Sequence, residues 1–151
     1  MRSFELYIFI DRPRDEVFDQ LAEPINMIGL RPRLTTIDVL KEQKDTEGVT
    51  LRPFYTVETY RWAGLPIFRS RVYLVIHLTH PKREMTIRLY GKLGTRIAFH
   101  YEFHEVENGK THLVQKVEFE KVNKLIENFV YNEANRSQRA LLTNLKVRLE
   151  K

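Results

Sequence analysis

The chain contains no cysteine among its 151 residues. This absence excludes a disulfide framework, thiolate catalysis and any metal site built on cysteine. Its apolar stretches are only strand-sized, and none approaches the roughly 20 residues of a membrane-spanning helix. Residues 1–5 run straight into a strand-like pattern without the apolar core of a signal peptide, so we expect a cytoplasmic protein with no integral membrane association.

Glycine and proline are scarce, at six residues each, and neither occurs between Val122 and Lys151. Apolar residues recur in that segment at helical spacing, which predicts one long C-terminal helix. Residues 50–120 instead form alternating segments rich in β-branched and aromatic residues, which is typical of antiparallel strands. A long helix that follows such a sheet must lie across it, because each has one apolar face to bury. No linker or repeat appears, so we expect a single domain over residues 1–151.

Concentrated positive charge is also missing, although the 25 basic residues exceed the 20 acidic ones and give a net charge of +5. The basic residues are spread along the whole chain without a block of five or six. No aromatic RNA-binding signature accompanies them. We therefore expect no nucleic-acid partner.

The motifs of several catalytic and metal-binding classes are absent as well. The sequence has no HExxH motif, EF-hand loop, P-loop, dinucleotide fingerprint or Ser-His-Asp set. His100, His104 and His112 share the outer face of the predicted sheet, with His104 opposite His112. Two opposed imidazoles could bind zinc or copper, but only Glu102 could join them, and a solvated face is the favoured interpretation. We expect no metal and no cofactor.

The predicted elements follow a simple order. A strand over Phe4–Ile10 is followed by a short helix between Pro13 and Pro24 and by a second short helix over Ile25–Leu30. The later strands are predicted at Leu34–Lys41, Thr50–Trp62, Phe68–Thr79, Glu84–Tyr90, Thr95–Val106 and Thr111–Glu120. The expected fold class is α+β: a curved antiparallel sheet of about seven strands wrapped around a long C-terminal helix, with two short helices after the first strand.

Face parity predicts the register of the last two hairpins. Apolar residues on paired strands must share a face, which places Phe103 opposite Leu113 and leaves the three-residue loop 107–109 between the strands. A loop of that length is typical of a type I turn with Gly109 in the left-handed conformation. The same reasoning makes 92–94 a three-residue loop.

This order of elements resembles the helix-grip fold of START lipid-transfer domains, plant pollen-allergen proteins and bacterial polyketide cyclase/dehydrase-like proteins. Residues 10–24, IDRPRDEVFDQLAEP, are similar to the end of the first strand in that family, where a proline step leads into a short helix that an acidic-Pro pair ends. One departure is the segment 29–32, Gly-Leu-Arg-Pro, where many relatives carry a tryptophan. The resemblance implies a hydrophobic cavity but no particular reaction, since the superfamily has no universal catalytic residue.

We expect the cavity between the sheet and the middle of the C-terminal helix. Small residues there, Ala134, Ser137 and Ala140, would leave volume over a curved sheet, and an apolar cavity with a few polar groups is the usual form of a small-molecule site. The alternative is that aromatic side chains fill this space. The predicted ligand-binding residues are Tyr55, Leu74, Ile76, Ile87, Leu89, Phe99, Tyr101, Phe103, Gln115, Val117, Phe129, Ser137 and Leu141.

A few inward polar side chains would orient a ligand. We expect this of Gln115, Tyr101, Ser70 and Tyr55. A buried glutamine must be hydrogen-bonded, so Gln115 pairs either with Tyr101 directly across the hairpin or with the ligand. The face that Glu58 presents stays open, because two alternating sets of residues compete in its strand.

The sequence predicts a protein that binds or transports a hydrophobic or aromatic small molecule. One alternative is a polyketide cyclase/dehydrase-type enzyme acting in the same cavity, which would need an inward titratable group such as Tyr101 or Glu58. Another is an interaction module with a filled core. We expect a monomer or homodimer and assign no catalytic residue.

Overall fold

Eight strands and two α-helices make up the described part of the chain. The structure is a computed structural model that describes residues 2–151, and the side chains of residues 60–62 and 66–68 are outside the description. In chain order the elements are β1 (Ser3–Ile10), α1 (Arg14–Ala22), β2 (Leu34–Val39), β3 (Gln43–Lys44), β4 (Thr50–Trp62), β5 (Leu65–His80), β6 (Glu84–Tyr90), β7 (Arg96–Val106), β8 (Lys110–Lys121) and α2 (Glu127–Leu149).

The strands form one curved antiparallel sheet in the order β1-β8-β7-β6-β5-β4-β2, and the short β3 pairs with β4. Helix α2 lies across the inner face of this sheet. The predicted α+β helix-grip architecture is therefore confirmed. Two details differ: the two-residue β3 raises the strand count to eight, and the second short helix is a single turn of 3-10 helix over Pro24–Met27.

Helix α1 begins and packs as its sequence predicts. Pro13, with φ of −60°, occupies the N-cap position, and Asp15 and Glu16 lie in the first turn, where the helix dipole favours negative charge. The apolar residues Val17, Phe18, Leu21 and Ala22 are all buried. This short helix therefore closes one end of the core.

The hairpin registers agree with the parity argument. Phe103 pairs with Leu113, and Tyr101 pairs with Gln115, across β7 and β8. The inward residues of the two strands consequently share one face of the sheet, where Phe103 packs against α1 and Tyr101 lies near Gln138 of α2. Within the described residues, neither helix combines the length and the apolar character needed to cross a bilayer.

The turns of the two late hairpins differ from the predicted type. In the loop 107–109, Asn108 has φ of 63° and Gly109 has φ of 70°, so two successive residues are left-handed and a type I turn with Gly109 alone is wrong. The loop 92–94 repeats this pattern at Leu93 (φ 56°) and Gly94 (φ 73°). Paired left-handed residues twist in the same sense as the flanking strands, which favours this arrangement in a hairpin.

Helix α2 begins later than the periodicity predicts. It starts at Glu127 rather than at Val122, because the Asn123 side chain accepts a hydrogen bond from the Leu125 backbone N–H at 2.9 Å. Such a local turn competes with helix formation. Leu125, which the helical spacing of residues 122–151 would place on the apolar face toward the sheet, is 94% exposed and does not pack there.

The two halves of α2 have different surroundings. Its fully packed residues are in the C-terminal half: Leu141, Leu142, Leu145 and Leu149. That half is also tied to the segment before β2, where Asn144 donates to the Leu30 carbonyl at 2.8 Å and Arg148 donates to the Ile28 carbonyl at 2.6 Å. In the N-terminal half, Phe129 is exposed, and Val130 and Ala134 are only partly buried.

Candidate functional site

A cavity of about 490 Å³ lies between the N-terminal half of α2 and the inner face of the sheet. Its walls on the sheet side are mainly apolar and include Leu74, Ile87, Leu89, Ile97 and Phe99. The helix contributes Ile126, Phe129, Val130, Ala134 and Leu141. The volume is in the range of small-molecule pockets, roughly 300–1,000 Å³.

Eight of the thirteen predicted ligand-binding residues line this cavity. They are Leu74, Ile87, Leu89, Phe99, Tyr101, Phe129, Ser137 and Leu141. Face parity along the strands and helical spacing in α2 are the patterns that predict these residues. Their contact with a ligand remains a prediction.

Four further predicted residues are inward-facing but do not line the cavity. Ile76, Phe103, Gln115 and Val117 are almost fully buried in the closed core. The ring of Phe103, for example, packs edge-on against Phe18 of α1 at 5.2 Å between centroids. These four side chains have the predicted inward orientation, but neighbouring residues pack over them and separate them from the cavity.

The expected inward orientation of Tyr55 is wrong. Tyr55 pairs with Tyr73 on the outer face, with 5.1 Å between ring centroids, and the Arg71 guanidinium lies 3.8 Å from the centroid of its ring. Phe54 occupies the inward position beside it and is fully buried. The same alternation turns Glu58 inward, which answers the question that the sequence left open.

Tyr101, Gln115 and Gln138 form a buried hydrogen-bonded group at the deep wall of the cavity. The Gln115 amide donates to the Tyr101 hydroxyl oxygen at 2.8 Å and to the Gln138 side-chain oxygen at 2.7 Å. The Tyr101 hydroxyl donates to the same Gln138 oxygen at a longer 3.5 Å. The alternative in which Tyr101 is the partner of Gln115 is therefore confirmed.

Burial makes the Tyr101 hydroxyl still harder to deprotonate. Removal from water raises the pKa of its hydroxyl far above the usual value, although the positive charge of Arg31 and the hydrogen bond from Gln115 oppose the shift. The group is consequently a neutral phenol at physiological pH. It can donate or accept a hydrogen bond but does not act as a phenolate.

Gln138 was not among the predicted site residues, although it lines the cavity. The signal was present in the sequence, since Gln138 follows Ala134 by four residues and precedes Leu141 by three. That spacing places all three on one helical face. Polar residues flank it on both sides, so hydropathy alone does not mark it as an inward residue.

A second polar group lies nearer the cavity mouth. The Arg31 guanidinium contacts the Glu58 carboxylate, and its Nε donates to the Ser137 hydroxyl at 3.1 Å. The side chains of Arg31 and Glu58 are only 14% and 13% exposed. Arg31 belongs to the segment before β2, Glu58 to β4 and Ser137 to α2, so this group joins three elements around the opening.

Other charged side chains continue the rim. Arg33 contacts Glu133, which also pairs with Arg136 at 3.1 Å. Lys92 also lines the cavity, from the loop between β6 and β7. Sequence reasoning missed these residues, because the segment around Pro32 has no periodicity that would assign its side chains to a face.

The outer-face histidines are close to one another, as the register predicts. The rings of His104 and His112 are 6.1 Å apart, but His112 stacks on Phe9 at 4.4 Å and His104 lies 3.2 Å from Glu102. Among the described residues, no group of three or more histidine, cysteine or acidic side chains is arranged to hold a metal ion.

Sequence comparisons give no match for this chain. No protein-family model and no curated protein matches it. The similarity to other proteins is therefore one of structure.

Solved structures match almost the whole chain. The ZhuI aromatase/cyclase from a Streptomyces species superposes with a TM-score of 0.77 at 14% identity, covering 99% of this chain and 93% of that one. A Thermus thermophilus protein gives 0.72 at 12% identity, covering 98% and 97%. A START superfamily protein from Mycobacterium smegmatis gives 0.67 at 10% identity, also covering 98% and 97%.

These likenesses show the fold. The chain has the START-like helix-grip fold, and the resemblance based on element order and residues 10–24 is confirmed at that level. Identities of 10% to 14% do not extend to activity, and function has to be argued from the cavity itself.

Proposed function

We propose that this protein binds a hydrophobic or aromatic small molecule in the cavity between α2 and the sheet. The observation that carries the proposal is the cavity of about 490 Å³ with apolar walls and a few polar groups on one side. Burying roughly 200 Å² of apolar ligand surface would contribute about 5 kcal/mol before the costs of association. This contribution is comparable to the cost of association, so the polar side chains at the cavity wall would add to the affinity.

The position of the cavity supports a binding role. The closed core lies under the C-terminal half of α2, where Leu141, Leu142 and Leu145 are buried. The apolar walls around Leu89 and Phe129 lie instead at the other half, next to the opening. An apolar surface that the protein does not cover itself is available for a ligand to bury.

The shared fold supports the same proposal. One structure with this fold is an aromatase/cyclase and another is a START superfamily protein. A cavity under the long helix that accepts an aromatic or hydrophobic compound is consistent with both. An interaction module with a filled core is less consistent, since the space is open.

Mass spectrometry of the purified protein tests the proposal. Spectra under native and then denaturing conditions would show whether a small apolar molecule leaves on unfolding. Titration with the fluorescent dye Nile red should give saturable binding with one site per chain. The proposal fails if neither a released compound nor saturable dye binding is found.

Two variants of α2 provide the matched comparison. Ala134→Trp places a large side chain at the cavity wall and should abolish dye binding, whereas Val147→Trp adds the same group at an exposed position of the same helix and should not. Both variants should keep the circular dichroism spectrum of the parent. Equal dye binding by both variants would place the dye outside the cavity.

A second candidate function is a cyclase/dehydrase-type reaction in the same cavity. The observation that favours it is that the Glu58 carboxylate and the neutral Tyr101 hydroxyl both line this cavity. Proton transfer beside a forming enolate needs such a pair. Glu58→Gln and Tyr101→Phe should then stop the conversion of a poly-β-keto substrate while the substrate still binds.

A further inference from the structure

The polar groups near the cavity mouth are held in a fixed arrangement around Arg31. Ser137 accepts a hydrogen bond from the Arg31 Nε at 3.1 Å, and the Glu58 carboxylate contacts the terminal nitrogen Nη2. The positive charge of Arg31 also acts on Tyr101. It lowers the pKa of the Tyr101 hydroxyl, although burial has the larger effect and raises that pKa. The guanidinium therefore lies where its field reaches the deep wall as well as the mouth.

The charged residues that line the cavity are unbalanced. Among the described lining residues, four are basic and two are acidic, which leaves an excess of two positive charges: Arg31, Arg33, Lys92 and Arg136 against Glu58 and Glu133. A cleft with apolar walls focuses the field of such an excess and concentrates anions. The cavity therefore favours an amphipathic ligand with a negative end over a fully neutral one.

The pair formed by Arg31 and Glu58 is itself largely withdrawn from solvent. Removing two charges from water is costly, and either charge left alone there would cost more. A planar guanidinium binds any carboxylate with the same paired geometry. A ligand carboxylate could thus take the place of the Glu58 carboxylate at Arg31, provided that the displaced Glu58 side chain becomes hydrated at the mouth or takes up a proton.

We propose that the ligand of this cavity carries an acidic oxygen group, and that this group binds the Arg31 guanidinium in competition with Glu58. The inference rests on the proposed function of the cavity and specifies its ligand class: an apolar or aromatic body with one carboxylate-like end. Glu58 then acts as an internal substitute that keeps Arg31 paired when the cavity holds no ligand. Ser137 is the positioning residue, since it holds the Arg31 Nε.

A matched pair of fluorescent probes tests this proposal. Pyrenebutyric acid and pyrenebutanol have the same aromatic body and chain and differ only in the end group. In an apolar cavity without an anchoring cation, the alcohol binds more tightly, because a carboxylate is costlier to remove from water. We expect the opposite order here, with the acid bound about tenfold more tightly, the size of one charge-assisted contact.

Three variants separate the roles of the charges. Arg31→Gln should weaken binding of the acid about tenfold and change binding of the alcohol less than about twofold. Glu58→Gln should strengthen binding of the acid, because the competing carboxylate is gone, and leave the alcohol unaffected. Arg139→Gln removes a positive charge from an exposed position of α2 that does not line the cavity, and should change neither affinity.

The outcomes distinguish this inference from the proposed function. If the alcohol binds as tightly as the acid, or if Arg31→Gln weakens both probes equally, the inference is overturned and the binding function stands. A weaker or unchanged affinity of Glu58→Gln for the acid overturns the competition with Glu58. If neither pyrene probe binds a parent protein that does bind Nile red, the inference is overturned and the binding function stands. Since Glu58→Gln is expected to gain affinity, its result does not depend on whether Arg31→Gln folds.

Discussion

Gln115 of the sheet and Gln138 of helix α2 share a hydrogen bond of 2.7 Å in the interior of the protein. Both side chains are almost fully buried, and the Gln115 amide also donates to Tyr101. The bond joins the helix to the sheet at the boundary between the closed core and the cavity. The bond therefore sets the distance between helix α2 and the sheet at the deep wall of the cavity.

Gln115→Met tests the contribution of this bond to stability. The substitution removes both hydrogen bonds donated by Gln115 and leaves Tyr101 and Gln138 with only their longer contact of 3.5 Å. We expect a loss of about 1–3 kcal/mol in the free energy of unfolding, measured by urea denaturation. Gln43→Met, at an exposed position of β3, should change it by less than about 0.5 kcal/mol. Equal stability of the two variants would show that the buried amide contributes nothing net.

The loops of the two late hairpins can be compared by two reciprocal substitutions, leucine to asparagine in one loop and asparagine to leucine in the other. We expect these substitutions to have opposite effects on stability. Leu93 and Asn108 occupy equivalent left-handed positions, with φ of 56° and 63°. Asparagine tolerates this conformation better than leucine, which incurs about 1–2 kcal/mol there. Leu93→Asn should therefore raise the midpoint of thermal unfolding, and Asn108→Leu should lower it. A shift of the same sign in both variants would contradict this explanation.

We expect the folded protein to lose stability below neutral pH because of His77. Burial, and then the positive charge of Arg88, lower the pKa of His77 in the folded state below its ordinary value of 6.5. A lowered folded pKa means that the unfolded chain binds the proton more readily, so stability is complete above pH 6.5 and falls as pH decreases through the folded pKa. His77→Gln should remove this part of the pH dependence in unfolding measurements between about pH 7 and pH 5. An unchanged slope would show that His77 is protonated equally in both states.

Glu150 contributes a separate acid-sensitive contact at the end of α2. Its carboxylate accepts hydrogen bonds from Lys146 at 2.6 Å and from the Asp11 backbone N–H at 2.8 Å, and these lower its pKa below 4.5 in the folded state. The contact therefore stabilises the fold above pH 4.5 and is lost as pH falls through the folded pKa. Glu150→Gln should lower the unfolding midpoint slightly at pH 7 and leave it unchanged near pH 3. A larger effect at the lower pH would contradict this account.

The sequence predicts the sheet better than it predicts the site. Parity places Tyr101 opposite Gln115 because apolar and polar residues alternate clearly in β7 and β8, where only one face is buried. It misplaces Tyr55 because both faces of β4 carry large side chains, so alternation does not show which one is inward. Tyr55 is stabilised outside the core by Tyr73 and by Arg71.

The charged part of the site could not be predicted for a different reason. Arg31 lies in an irregular segment, and its direction is set by distant partners on β4 and α2, namely Glu58 and Ser137. Contacts of this kind depend on the assembled fold rather than on local periodicity. Leu125 shows the same limit before the start of α2, where its backbone N–H donates to the Asn123 side chain instead of to a helical carbonyl.

The uneven anchoring of α2 has a consequence for how such a protein can change over time. Its C-terminal half supplies buried leucines and hydrogen bonds to the segment before β2, whereas its N-terminal half forms the cavity wall. Substitutions at Phe129 or Ala134 can therefore alter the ligand without removing the contacts that hold the fold. If the cavity binds a ligand as proposed, residues in the N-terminal half of this helix can change while the buried leucines of the C-terminal half keep the shape of the fold.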